Sequence, residues 1–132
     1  MAADGSLSRQ IHLTSADGAA NDLDRLHEAN ALTAASPEGP VALVGDFNGL
    51  SHRDTHFDAD TNRYRVHEHL VTSGWNSAVP EVSTYVQQLG DDRRLGTLSF
   101  DRGYLRGLTG TATALADQGL SDHVAIRIEV TP

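Results

Sequence analysis

Residues 41–47 read VALVGDF, an apolar run of strand length that does not alternate with polar residues. A strand of that kind has both faces covered, so the chain must fold in layers around it. It is the expected central strand. The run ends on Asp46 and Asn48, followed by Gly49. Two readings account for that ending: a strand entering an Asn-Gly turn, or a strand that delivers a carboxylate and an amide to one sheet edge.

The flanking segments fill out a mixed α+β pattern. Residues 6–13, SLSRQIHL, end as a short strand with Ile11 and Leu13 on one face and His12 on the other. From Asn21, read as an N-cap, Leu23, Leu26, Ala29 and Leu32 recur at near-helical spacing until the SPEGP stretch at 36–40 stops the helix. Residues 49–64 are polar, rich in Asp and His and without periodicity, which predicts a long loop. A short helix over 64–75 is expected to end at Gly74. Strands are expected at 82–89 and 96–105, joined by the polar turn GDDRR at 90–94. Val124, Ile126, Ile128 and Val130 alternate with polar or small residues and predict a last strand with one buried face.

Composition narrows the function. At 132 residues and 39% hydrophobic content, residues 1–132 form a single domain with one core. Asp and Glu total 18 against 10 basic residues, a formal charge of -8. No polybasic face is therefore available to grip nucleic acid by its phosphates, and phosphate chemistry would need a bound cation. All the basic residues are Arg, and the absence of Cys excludes disulfides and thiolate metal sites. The start MAADGSLSRQ has no charged segment followed by an apolar core, and no run of about 18 apolar residues occurs, so a cytoplasmic chain without a membrane span is expected.

Several polar clusters compete for the chemistry. Asp58, Asp60 and Asn62 have the spacing that opens a calcium loop, but Arg63 stands where that loop needs Gly and His69 where it needs Glu. His67 and His69 lack the one-turn helical spacing of a shared metal site and read as a solvated helix face, and His52 and His56 read as loop residues. Arg93, Arg94, Arg102 and Arg106 form either a local phosphate-facing patch or a solvated edge. More telling are GDFN at 45–48 and SDH at 121–123, each at the end of a predicted strand. If those strands pair antiparallel, carboxylates, an amide and an imidazole meet at one end of a sheet, a set that suits a hard divalent cation and a phosphoester.

In order along the chain, IHL at 11–13, VALVGDFN at 41–48, FDRGYLRG at 100–107 and GLSDHVAI at 119–126 resemble the signatures of the endonuclease/exonuclease/phosphatase superfamily, whose fold is typified by DNase I. The resemblance implies a DNase I-like sheet-on-sheet sandwich flanked by helices. It covers the C-terminal half only: a mixed or antiparallel sheet with one or two helices. It implies that Asp46 orients or deprotonates the attacking water and that Asn48 contacts the phosphate and positions Asp46. By the same resemblance Asp122, with Asp46, serves the metal site, His123 binds the scissile phosphate, Asp101 orients His123, and His12 is a second phosphate contact or general acid. The implied activity is phosphoester hydrolysis dependent on Mg²⁺ or Mn²⁺, on a nucleic acid or on a phosphorylated small molecule or lipid headgroup.

The family's glutamate metal ligand belongs to the half that is not matched, and Glu28, Glu38 and Glu68 lie in the wrong elements to replace it. Half a sandwich leaves a sheet face and an edge uncovered, which points to a homodimer or to a complementing N-terminal half. A fragment of a longer protein, a half-domain that assembles and a copy that binds without catalysing all remain open. The alternative to a hydrolase is accordingly a non-catalytic half-domain that binds a partner through its uncovered sheet.

Overall fold

The computed structural model describes residues 7–13, 19–48, 65–95 and 99–132. Its elements run β1 (Leu7–His12), α1 (Ala19–Ala35), β2 (Val41–Asp46), α2 (Arg65–Thr72), β3 (Asn76–Ala78), β4 (Val86–Leu89), β5 (Asp92–Leu95), β6 (Asp101–Arg106), β7 (Thr109–Ala114) and β8 (Ile126–Thr131). The fold is α+β. A four-stranded sheet has the order β1-β2-β6-β3, and β4-β5 and β7-β8 form two further two-stranded sheets. β1 runs parallel to β2, with α1 as the crossover that a parallel pair needs, while β6 is antiparallel to both β2 and β3.

The central strand is covered as its sequence demands. Val41, Leu43 and Phe47 face α1 and α2, packing with Tyr104, Ala29, Val66, Leu70 and Trp75 in one buried cluster. On the opposite face, Ala42 and Leu105 meet Ala112 of β7 and Ile128 of β8. The result is helices, sheet and a β7-β8 ribbon in three layers. Val41, Leu43 and Leu105 are at most 1% exposed, and burial at that level stabilises by about 1.5–3 kcal/mol per side chain.

Helix α2 ends as expected at Gly74, and the stop is a Schellman motif. Gly74 has φ +92°, its N–H donates to the Val71 carbonyl, and the Trp75 N–H donates to the Leu70 carbonyl. The accompanying apolar contact joins Trp75 to Leu70 inside the core.

Other boundaries differ from expectation, each for a local reason. Helix α1 begins at Ala19, so Asn21 lies inside it and is not its N-cap. The strand expected over 82–89 is regular only from Val86, because the Tyr85 N–H turns to the Ser83 hydroxyl. Only Gly90 and Asp91 make the turn, and Asp92 and Arg93 already pair in β5. β6 starts at Asp101, and residues 96–98 of the strand expected there lie outside the described residues. β8 starts at Ile126, and its outer end is open, with Val130 50% exposed.

Strands β3 and β7 have no counterpart in the sequence reading. In β7 the inward positions are Gly110, Ala112 and Ala114, too small to give an apolar alternation. They are small because the ribbon lies close: a Cβ on Gly110 would stand 2.6 Å from the Glu129 carbonyl oxygen and 2.8 Å from Leu105 Cδ1. Among the described residues, no helix is long and apolar enough to cross a membrane.

Candidate functional site

Strand register sets the site. His12 lies beside Asp46 across the β1–β2 pair, and Asp46 lies directly opposite Asp101 across the β2–β6 pair. An imidazole and two carboxylates therefore stand in a row at one end of the sheet. Like charges placed opposite each other destabilise a sheet, so this arrangement calls for a compensating cationic group.

The GDFN turn fixes the middle of the row. Gly45 has φ +151°, a conformation open mainly to glycine, and Asn48 has φ +48°, where Asn is among the few tolerated side chains. The backbone is thus not extended through Asn48; it folds back so that the Asn48 N–H donates to Asp46 Oδ1 at 2.8 Å. The Asn48 amide donates from Nδ2 to the Leu13 carbonyl at 2.7 Å and sits 3.3 Å from His12 Nε2. It ties the end of β1 to the end of β2 with one of its two N–H groups. Phe47 points the other way, fully buried and edge-on to Tyr104 at 4.8 Å.

His123 arrives by a different route from the one its sequence position predicts. β8 pairs with β7, not with β2. His123 precedes β8 and forms an isolated bridge with Tyr85, flanked by bonds from Val86 N–H to the Asp122 carbonyl and from Val124 N–H to the Thr84 carbonyl. The Thr84 hydroxyl also accepts the Asp101 N–H. The segment 84–86 thus joins β6 to the histidine. His123 Nδ1 lies 2.6 Å from Asp101 Oδ2, and Nε2 lies 3.7 Å from Asp46 Oδ2. A carboxylate only accepts, so Nδ1 carries the proton and Nε2 faces the site. Tyr85 and Phe100 flank the ring at centroid distances of 6.0 and 6.5 Å.

Electrostatics follow the geometry. Burial pushes the Asp46 pKa above the ordinary carboxylate value, as does the charge of Asp101, against the Asn48 N–H and the neighbouring His123 and His12. For His123, burial lowers the pKa, but the Asp101 hydrogen bond and the charges of Asp101, Asp46 and Asp122 outweigh it and raise the pKa overall. These groups open onto a cavity of about 590 Å³ lined by Gln10, His12, Val44, Asp46, Asp101 and His123, with Val124 to Ile126 closing one side.

Asp46, Asp101 and His123 offer ligand atoms all within 4.8 Å of one another. Asp122, expected at the metal, is exposed and outside that group; its Oδ1 accepts from the Ser121 hydroxyl at 3.4 Å and its charge acts on His123. Asp101, expected only to orient His123, takes the position of second carboxylate. Residue types at a strand end gave no sign of this, because the pairing of Asp46 with Asp101 is a matter of register.

The remaining clusters resolve separately. His67 is not on a solvated face: it is 3% exposed and its Nδ1 lies 2.7 Å from the Tyr104 hydroxyl. Among the described residues the arginines form no single patch, and the Arg94 side chain lies outside them. Arg102 is fully buried beside Phe47 and Tyr104, Arg106 lies over Trp75 and donates to the Pro37 and Gly39 carbonyls, and Arg93 pairs with Asp117. His52, His56, Asp58, Asp60 and Asn62 lie outside the described residues.

No family model matches the chain, and no curated protein does. Among solved structures the fold is similar to the crystal structure of a functionally unknown conserved protein from Enterococcus faecalis V583, at 19% identity and a TM-score of 0.59. The match covers 94% of this chain and 49% of that one. The chain thus spans about half the length of its structural neighbour, and the likeness is one of fold.

Proposed function

We propose that the chain is a divalent-metal-dependent phosphoester hydrolase of the DNase I-like endonuclease/exonuclease/phosphatase type, built as the C-terminal half of that fold. The observation that carries the reading is the meeting of His12, Asp46, Asp101 and His123, from four separate segments, at one cavity. The two carboxylates are donors that fit Mg²⁺ or Mn²⁺ with retained waters, leaving the His123 imidazole beside the cation for the substrate. Bound there, the cation would polarise a phosphoryl oxygen and offset the site's negative charge.

The chain's own residues supply the rest. Asp46, with its raised pKa and with Oδ1 held by the Asn48 N–H, accepts a proton from water. His123, kept in one orientation by Asp101 and favoured in its protonated form by the surrounding carboxylates, then also carries a proton on Nε2 and donates it to an oxygen on which charge develops. His12, with a side chain 72% exposed at the rim, is placed to meet a substrate phosphate. The test is hydrolysis of bis(p-nitrophenyl) phosphate with Mg²⁺ or Mn²⁺ titrated in, comparing wild type with Asp46→Ala and His123→Ala. Each variant should lose roughly 10²- to 10⁴-fold; equal rates for all three would sink the reading.

A second reading is favoured by the open end of the ribbon. Val130 is 50% exposed on the inward-facing row of β8, and the structural neighbour has twice the length to cover such a face. A second copy or a complementing half docked there would make the chain a partner-binding half-domain. Light scattering tests the second copy: a monodisperse monomer whose state does not change in Val130→Asp disposes of self-association.

A further inference from the structure

His123 is held by its neighbours in the chain, and those neighbours are held by one arginine. Residues 115–125 connect β7 to β8 without regular structure other than the His123 bridge. Within this connection the Asp117 Oδ1 accepts the Gly119 N–H at 2.9 Å, at a glycine with φ +71°, and the Ser121 hydroxyl accepts the His123 N–H at 3.1 Å. The loop is thus folded on itself immediately before the histidine.

Arg93, on β5, reaches across to this loop. Its Nε and Nη2 donate to the two carboxylate oxygens of Asp117 at 3.2 and 3.0 Å, and Nη2 also donates to the Ser121 carbonyl at 2.6 Å. β5 pairs with β4, and β4 begins at the residue whose N–H holds the Asp122 carbonyl. A closed circuit results: segment 84–86 to Asp122 and His123, back through Ser121 and Asp117 to Arg93, and along the β4-β5 pair to segment 84–86. Opening it at Arg93 leaves His123 tethered from one side.

We propose that Arg93 is a positioning residue for His123, fixing the loop at Asp117 and at the Ser121 carbonyl so that the imidazole meets Asp101. The proposal rests on the hydrolase reading for the importance of His123, but its geometry is independent of it. A planar guanidinium makes these bonds as a fork in a way that a lysine ammonium does not. An exposed ion pair alone contributes little to stability, so the effect is expected in alignment more than in folding.

The experiment compares wild type, Arg93→Gln, the charge swap Arg93→Asp with Asp117→Arg, and Arg127→Gln, which breaks an exposed pair with Glu129 on β8. The ¹⁵N shifts of the His123 ring, recorded without metal at about pH 9 where an ordinary imidazole is neutral, read the share of the Nδ1–H tautomer. Hydrolysis of bis(p-nitrophenyl) phosphate with Mn²⁺ reads kcat and KM. Arg93→Gln should lose the tautomer preference and drop kcat on the order of ten- to hundredfold with KM little changed. The swap restores an ion pair but neither the donor to the Ser121 carbonyl nor the acceptor for the Gly119 N–H, so melting temperature should stay near wild type in both variants while tautomer preference and kcat stay lost in the swap. Arg127→Gln should match wild type. A wild-type tautomer distribution in Arg93→Gln, or its full recovery in the swap, overturns the proposal. Absence of hydrolysis by wild type would defeat the hydrolase reading alone, and the tautomer comparison would still decide the role of Arg93.

Discussion

Asp101 Oδ2 and His123 Nδ1 lie 2.6 Å apart although 22 residues separate them in the chain. The pair makes the folded protein bind a proton on His123 more tightly than an unfolded chain does, since the ring's pKa is raised above 6.5 in spite of burial. The stabilisation is complete below about pH 6.5 and is lost as pH rises through the raised value. Melting temperature should therefore fall across that window in wild type, and the fall should shrink in Asp101→Asn. Thermal unfolding by circular dichroism at steps from about pH 5 to about pH 9 measures it.

At Asp46 stability and activity pull against each other. Its raised pKa means that the folded chain favours the protonated acid, so stability is greatest at low pH and is lost as pH rises from 3.8 through the raised value. At neutral pH the ionised group is a cost. Asp46→Asn keeps an acceptor for the Asn48 N–H and should melt at a higher temperature than wild type at pH 7, while losing roughly 10²- to 10⁴-fold in hydrolysis. A lower melting temperature would contradict the electrostatic account of the site.

Much of this was readable from residue order, but only where one segment carries the whole signal. The covered central strand, the stop at Gly74 and the α+β class follow from local pattern, and the strand run 41–46 lands within one residue of its expected end. Of the candidate residues read from the strand ends, Asp46, Asn48, Asp101, His123 and His12 are brought together, while Asp122 is not. Their arrangement was not legible. That Asp101 faces Asp46 depends on β6 lying beside β2, and that His123 joins them depends on a bridge to Tyr85, which has no periodic signature. Strand β7 was missed because close packing reduced its inner row to glycine and alanine.

Asn48 allows conformation to be separated from contact. Both Asn48→Gly and Asn48→Ala remove the bond to the Leu13 carbonyl, but only alanine adds strain at φ +48°. Alanine should therefore be the less stable of the two by about 1–2 kcal/mol, the usual cost of a left-handed residue with a Cβ. Urea unfolding of the pair tests it; equal midpoints would show that the turn relaxes.

Gly110 should resist any side chain. A Cβ there meets the Glu129 carbonyl, which is backbone and does not rotate away. Gly110→Ala is expected to destabilise by about 1–3 kcal/mol through displacement of the β7-β8 ribbon. At Gly103 the nearest atom is the Ile128 Cδ1 tip, so Gly103→Ala should cost less. Parallel denaturation curves rank the two.

Trp75 is the one tryptophan of the chain, 6% exposed and covered by the Arg106 guanidinium at 5.2 Å. Arg106 pairs with Val41, at the far end of the strand that carries Asp46, roughly 16 Å of extended backbone away. Tryptophan fluorescence will accordingly follow global unfolding of the domain while staying blind to cation or phosphate at the carboxylates, so titrations of the site need a reporter placed elsewhere.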